Sequence, residues 1–222
     1  QLKNFKSIMS SDIMNPIILI PSFNDNVYIP DLLDEIISFT ETPILIIDDG
    51  SYIPIETSTK NVTVIRNANN IGKGASIIKG LEFSLKNNFT HAITMDSDMQ
   101  HPAEKLAEFL SYSYDVDIVC GQRKLDKNMP IHRRLSNKIT SIILTWICGT
   151  EIKDSQCGYR RYSIKKVLEC TFKEKGFQFE SEILIKLAKK NAIIKHLAIP
   201  TIYGNEQSSI KNFKDTFKFI KL

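Results

Sequence analysis

Short apolar runs rich in β-branched residues recur through the first half of the chain. They span Pro16 to Pro21, Pro43 to Ile47, Val62 to Ile65, Ala92 to Met95 and Val116 to Cys120, and turn residues bound each one. Continuous apolar runs predict strands buried on both faces, as in a parallel sheet covered by helices. Helical spacing falls between them. Leu33, Ile36 and Ile37 mark one helix, with Pro30 and Asp31 at its start. Ile78, Leu81 and Leu85 mark a second, entered through Gly72 and Gly74, and Leu106, Phe109 and Leu110 a third, with Pro102 near its first turn. This β-α alternation predicts an α/β fold with a Rossmann-like, mostly parallel sheet and helices on both faces.

After Cys120 the rhythm changes. Residues 121–135 are polar and basic and read as a long loop of the kind that carries function. Ile139, Ile142, Ile143, Trp146 and Ile147 then form one apolar helical face. A further helix is expected over Glu180 to Lys190, then an apolar run from Ile193 to Tyr203. No internal repeat or flexible linker divides the chain. One domain is expected: residues 1–120 as one half, 121–209 as the other, and 210–222 as a tail.

Composition narrows the class. The chain has 222 residues with 42% hydrophobic and 24% charged positions, which excludes disordered and low-complexity classes. No apolar run approaches the ~20 residues of a membrane-spanning helix, and the start of the sequence lacks a hydrophobic signal core. Four cysteines without C-x-x-C spacing argue against a zinc knuckle or disulfide scaffold, so a cytoplasmic setting is expected. The net charge of +4 is too mild to imply nucleic acid. Much of it sits in the tail, where Lys211, Lys214, Lys218 and Lys221 run beside Ile210, Phe213, Phe217 and Ile220. A basic stripe beside an apolar one suits either a peripheral membrane contact or a helix docked on the domain.

The chemistry clusters at strand ends. Asp96-Ser97-Asp98 follows an apolar strand, and in open α/β sheets ligands bind beyond the carboxyl ends of strands. Two carboxylates one residue apart suit Mg²⁺ or Mn²⁺, with substrate phosphates completing the shell; the same residues also suit a helix cap. Asp48-Asp49-Gly50-Ser51 ends another strand and offers either carboxylates or a plain turn. Phe23, after the first strand, suits stacking on a base or simple packing. Asn70-Ile71-Gly72-Lys73-Gly74 opens a helix whose free N–H groups favour an anion, without a Walker or dinucleotide pattern. Asp154 is the one candidate general base, with pairing to an arginine as its alternative, and His101 reads as a cap or packing group. Cys157 lacks the adjacent histidine a thiolate nucleophile needs. Glu180 and Glu182 either reach the site from their helix or form a solvated helix face, and the solvated face is the reading preferred.

These strand-end motifs, in this order, resemble family 2 glycosyltransferases of the GT-A fold, in the branch of dolichyl-phosphate mannose and glucose synthases. Pro21-Ser22-Phe23-Asn24-Asp25 is similar to the family's opening motif, with Asp25 where glutamate is usual. Asp-Asp-Gly-Ser, Asn-x-Gly-Lys-Gly and Asp96 to Pro102 are matched, as are Gly121-Gln122-Arg123, Arg133 to Asn137 and Asp154 to Arg160. The resemblance implies an inverting, metal-dependent transfer from a UDP- or GDP-sugar to a polyprenyl phosphate. It implies Phe23, Asp25 and Asp49 at the nucleoside, Pro21 shaping the strand end, and Lys73 and Asp96 on the donor. It also implies Asp98 and Gln100 on the Mg²⁺ or Mn²⁺ ion, and Arg123 and Arg134 at the acceptor. A hydroxyl acceptor, a nucleotidyltransferase and a non-catalytic nucleotide-sugar-binding module are the rival readings.

Overall fold

The computed structural model describes residues 13–124, 131–176 and 178–202; the expected tail, residues 210–222, lies outside them. The described elements follow the chain as β1 (Pro16–Ser22), α1 (Ile29–Phe39), β2 (Ile44–Asp48), β3 (Val62–Arg66), α2 (Lys73–Lys86) and β4 (His91–Thr94). A 3-10 turn (Ala103–Lys105) leads into α3 (Leu106–Ser111). Then come β5 (Ile118–Arg123), α4 (Ile131–Cys148), β6 (Arg160–Ser163), α5 (Ile164–Leu168), α6 (Phe179–Lys189) and β7 (Ile194–Ile199).

One seven-stranded sheet runs in the order β3-β2-β1-β4-β6-β5-β7. β6 is antiparallel to both its neighbours, and the other pairings are parallel. The apolar runs are continuous because both faces are covered. Ile18, Ile20, Ile44 and Ile46 meet α1 and α3 residues such as Leu32 and Phe109. Ile17, Leu19, Leu45 and Ile47, on the alternate positions, meet Ile77 and Leu81 of α2 and Phe179 and Leu184 of α6. The order reverses at β1, whose neighbours are β2 and β4, and this creates the crevice at the carboxyl edge. Because β6 runs the other way, the loop before it returns to that edge beside the ends of β4 and β5.

Several sequence expectations need correction. The buried stripe of α2 is Ile77, Leu81 and Ser84, with Leu85 exposed; the glycines at 74 and 80 let the helix sit close and rotate the stripe by a position. Ile37 of α1 is also exposed. Residues 121–123 belong to β5, and α4 begins at Ile131, so the loop expected over 121–135 is shorter. The apolar face of α4 points outward: Ile139, Ile142, Ile143, Trp146 and Ile147 are all exposed, while Asn137, Thr140, Ser141 and Leu144 are buried. Glu180 and Glu182 are buried rather than solvated. Glu182 accepts from the backbone N–H groups of Lys173 and Glu174, closing the loop that enters α6.

The first turn of α2 packs on the first residue of α6 through Gly74. A Cβ there would lie 2.6 Å from Phe179 Cβ and 3.1 Å from the Glu174 carbonyl oxygen. Gly74→Ala should therefore separate the two helices and cost about 2 kcal/mol by overpacking. In thermal denaturation we expect the midpoint to fall by roughly 4–8 °C; an unchanged midpoint would contradict this contact.

Candidate functional site

Four parallel strands and one loop deliver the polar residues to the carboxyl edge. After β1, Asn24 takes a left-handed backbone (φ 63°), its N–H bonds Ser51 Oγ at 2.9 Å, and its Oδ1 accepts from Tyr52 N at 2.9 Å. These two bonds clip the first loop to the second. Phe23 lies half-exposed beside Pro21, which is buried at the end of β1, and its ring centroid is 6.4 Å from that of the exposed Tyr52. Asp25 accepts from the Ser97 hydroxyl and so ties the first loop to the loop after β4.

The two aspartates after β2 divide the work. Asp48 holds its own turn through Ser51 N and Ile55 N and pairs with Arg66. Asp49 accepts from Asn67 Nδ2 and Ile71 N on Oδ1 and from Gly72 N on Oδ2. The start of α2, expected to leave its N–H groups open for an anion, is thus engaged internally: Asp49 takes two of them and the Lys175 carbonyl takes Gly74 N.

Lys73 follows immediately. Its ammonium lies 2.8 Å from Asp96 Oδ1 and 2.8 Å from Glu180 Oε1. Burial alone would lower its pKa, but Asp96 and Glu180 outweigh that and hold it above the ordinary lysine value. Burial likewise works against an ionised Asp96, and Lys73 with His101 reverses the balance, bringing it down to about 2. His101 Nδ1 accepts from Asp96 N at 3.0 Å, and its ring stacks on Tyr159 with centroids 4.9 Å apart. Burial pushes His101 down to about 4, so at neutral pH it is the uncharged packing group that its position suggested. Gly158 covers this cluster. A Cβ on it would meet Lys73 Nζ at 2.9 Å and both Asp96 oxygens at 3.1 Å.

Asp98 stands one residue beyond and is half-buried; its Oδ1 accepts from Gln100 N at 3.1 Å. Met99 between them has φ 58°, an uncommon conformation for an unbranched apolar side chain and one that folds Gln100 back toward Asp98. Among the described residues no three His, Cys, Asp or Glu side chains form a metal cage. The side-chain oxygens that this turn offers include the Asp98 carboxylate and the Gln100 amide. Such hard ligands suit a divalent cation that draws its remaining ligands from substrate phosphates and water.

The other end of the edge is built around Asp154, which is 1% exposed. Arg123 grips it with Nε at 2.8 Å and Nη2 at 3.1 Å. Arg123 N, Asn137 Nδ2, Gln156 N and Cys157 N also donate to it. Burial would raise its pKa, but Arg123 and the backbone donors hold it below the usual carboxylate value. Of the two roles open to Asp154, pairing with an arginine is the one the geometry supports. Arg123 spends two of its five donors on this pair and stays partly exposed. Arg134 is half-buried in the first turn of α4. The Cys157 thiol is pushed up to about 12 by burial, which leaves it inert. Arg160 fastens the same loop to α6, donating to the carbonyls of Cys157, Ser155 and Glu180.

With the geometry in view, comparison with known proteins decides the family. A profile described as glycosyl transferase family 2 matches residues 17–180. The chain belongs to this family. An uncharacterised protein of Methanocaldococcus jannaschii is 31% identical, covering 92% of this chain and 96% of its own. A UDP-N-acetylglucosamine–dolichyl-phosphate N-acetylglucosaminyltransferase of Methanococcus voltae is 29% identical over 84% of this chain and 85% of its own. Glucosyl-3-phosphoglycerate synthase of Mycobacterium tuberculosis, crystallised with Mn²⁺, UDP and glucosyl-3-phosphoglycerate, superposes with a TM-score of 0.73 at 12% identity, covering 99% of this chain and 81% of its own. That likeness shows the fold, a single GT-A α/β domain. The chain is therefore a glycosyltransferase, and the nucleotidyltransferase and binding-module readings fall away. Ser97 and Gly158 escaped sequence reasoning as site residues, and of the two readings open to Glu180 the structure supports the one that reaches the site. The one signal for Glu180 was a carboxylate at the start of an apolar helix, which reads equally as a dipole-favoured surface residue.

The buried histidines generate a pH prediction. His91 and His101 are both pushed down to about 4 by burial, while an unfolded histidine titrates near 6.5. Between pH 6.5 and 4 the unfolded chain therefore binds more protons, and stability falls as pH falls, by up to about 1.4 kcal/mol per pH unit for each histidine. Asp96, held at about 2, extends the loss below pH 4. Urea midpoints should be level from pH 7.5 to 8 and drop steeply from pH 6.5 to 4.5; a flat profile across the lower window would contradict buried, neutral imidazoles.

Proposed function

We propose that this glycosyltransferase moves a sugar from a nucleotide-diphospho-sugar to a polyprenyl phosphate, with inversion and with Mg²⁺ or Mn²⁺. The observation that carries the reading is the closure of Asp154. Six hydrogen bonds from Arg123, Asn137, Gln156 and Cys157 fill its lone pairs, so it is poorly placed to take a proton. A hydroxyl acceptor needs a base within reach of its proton. A phosphate acceptor arrives ionised and needs only to be held, which is the task of Arg123 and Arg134, since guanidinium groups pair with phosphate oxygens. The dolichyl-phosphate acceptor in the name of the Methanococcus voltae relative supports the same choice.

On the donor side, Phe23 and Tyr52 offer exposed rings to a base. Among the described residues Asp49 Oδ2 accepts one N–H, from Gly72, and a carboxylate oxygen can take a further donor such as a base N–H. Asp25, steadied by Ser97, stands at the same loop. Asp98 and Gln100 hold the cation, which when bound neutralises charge on the diphosphate. Lys73 acts through Asp96: it keeps that carboxylate ionised and fixed to meet the donor's ribose or sugar. No helix among the described residues is long and apolar enough to cross a membrane. The proposed reading places the lipid acceptor at the cytoplasmic face of the membrane.

Two substitutions test this assignment. Asp98→Asn should cut transfer roughly a hundredfold or more and abolish metal-dependent donor binding while the melting temperature holds. Full activity in that variant, or activity indifferent to EDTA, would remove the metal role. Arg134→Ala should raise the acceptor KM by roughly thirtyfold, the equivalent of about 2 kcal/mol for a charge-assisted contact, with donor affinity nearly unchanged. An equal fall in donor affinity would move this arginine to the diphosphate.

A further inference from the structure

The helix that closes the acceptor end is built inside out. Apart from Leu144, its inner face is small and polar: Asn137 bonds Asp154, Ser141 meets Ser155, and Thr140 bonds back to Ser136 O. Its outer face carries Leu135, Ile139, Ile142, Ile143, Trp146 and Ile147, with Ile142 59% and Trp146 84% exposed. Scattered exposed leucines need no explanation, but a continuous stripe along four turns of one helix does. Charge along the helix is one-sided. Arg133, Arg134 and Lys138 all lie in its N-terminal half, and α4 contains no aspartate or glutamate. Basic residues at a helix N-terminus oppose the helix dipole, so local helix stability does not account for them.

We propose that α4 docks on an anionic lipid leaflet, its apolar face seated at the boundary of headgroups and acyl chains and its basic end among the headgroups. Two observations favour a leaflet over a second copy of the chain. A twofold contact would set Arg134 and Lys138 against an α4 with no carboxylate to pair them. The stripe also begins at Leu135, the residue after Arg134, so one helix presents a cation to a lipid phosphate and an apolar track to the chain attached to it. The inference deepens the lipid-phosphate reading and draws its acceptor from it. Through Asn137 and Asp154, docking would hold Arg123 at the membrane surface.

The sequence supplies its own probe, because Trp146 is the sole tryptophan. The full chain is mixed with phosphatidylglycerol or phosphatidylcholine vesicles that contain no polyprenyl phosphate. Trp146 emission should shift to the blue with the anionic vesicles, be quenched by acyl-brominated lipid, and respond less to phosphatidylcholine or in high salt. Ile142→Ser combined with Ile143→Ser, both solvent-facing, should lower partitioning by roughly tenfold or more while leaving the circular dichroism spectrum unchanged. Pelleting with vesicles while Trp146 emission stays unmoved would place the contact elsewhere and overturn the proposal. Emission already blue without lipid, together with a dimer in sedimentation, would give the face to a second copy and overturn it as well. Lipid binding without transfer to polyprenyl phosphate would uphold this inference and remove the acceptor assignment. Transfer to a soluble short-chain prenyl phosphate without any vesicle binding would do the reverse.

Discussion

A partly buried ammonium shared between two carboxylates organises the edge of this sheet. Lys73 begins α2, Asp96 follows β4 and Glu180 begins α6, and the lysine stands 2.8 Å from each acid. None of these charges would tolerate burial alone, so the three elements that carry them must meet. Gly158 lets the loop before β6 close over the cluster, and Gly74 lets α6 come near enough for Glu180 to reach. One cation between two acids leaves this end of the edge negative beside Asp98. That is the surroundings a divalent cation seeks.

The carboxylates along the edge differ in what they hold. Asp48 and Asp49 are struts for turns and helix starts, and Asp154 is a socket for Arg123. Asp96 is fixed by Lys73 and further steadied by His101 beneath it. Asp98 sits at the turn set by the left-handed Met99 and accepts the Gln100 N–H. Carboxylates at one end of the edge and guanidinium at the other thus suit the proposed reading, in which no protein base is needed between donor and acceptor.

Much of the fold was legible in the sequence, because burial on both faces of a parallel sheet leaves uninterrupted runs such as Ile17 to Ile20 and Ile44 to Ile47. The strand-end motifs were legible for the same reason: the change from apolar to polar marks where each strand leaves the core. What could not be read was whether a polar side chain faces in or out. Glu180 and Glu182 look like surface acids until α6 is packed against Lys73 and the loop over Lys173 and Glu174. Periodicity identified α4 as amphipathic but not which face meets the domain; its inner face is polar because its partner there is the Asp154 loop. The stripe of α2 shifted from Ile78 to Ile77 because glycines, silent in a hydrophobic pattern, set how the helix sits.

The central claim is that the acceptor's own phosphate, held by arginine, replaces a catalytic base. It is tested most directly by offering the enzyme a polyprenyl phosphate and the matching polyprenol, differing only in the phosphate, with the same nucleotide-sugar and Mn²⁺. Mass spectrometry of the lipid fraction should show glycosylated polyprenyl phosphate and no glycosylated polyprenol. Comparable transfer to the alcohol would contradict the account, because it would require a base that the locked Asp154 does not provide.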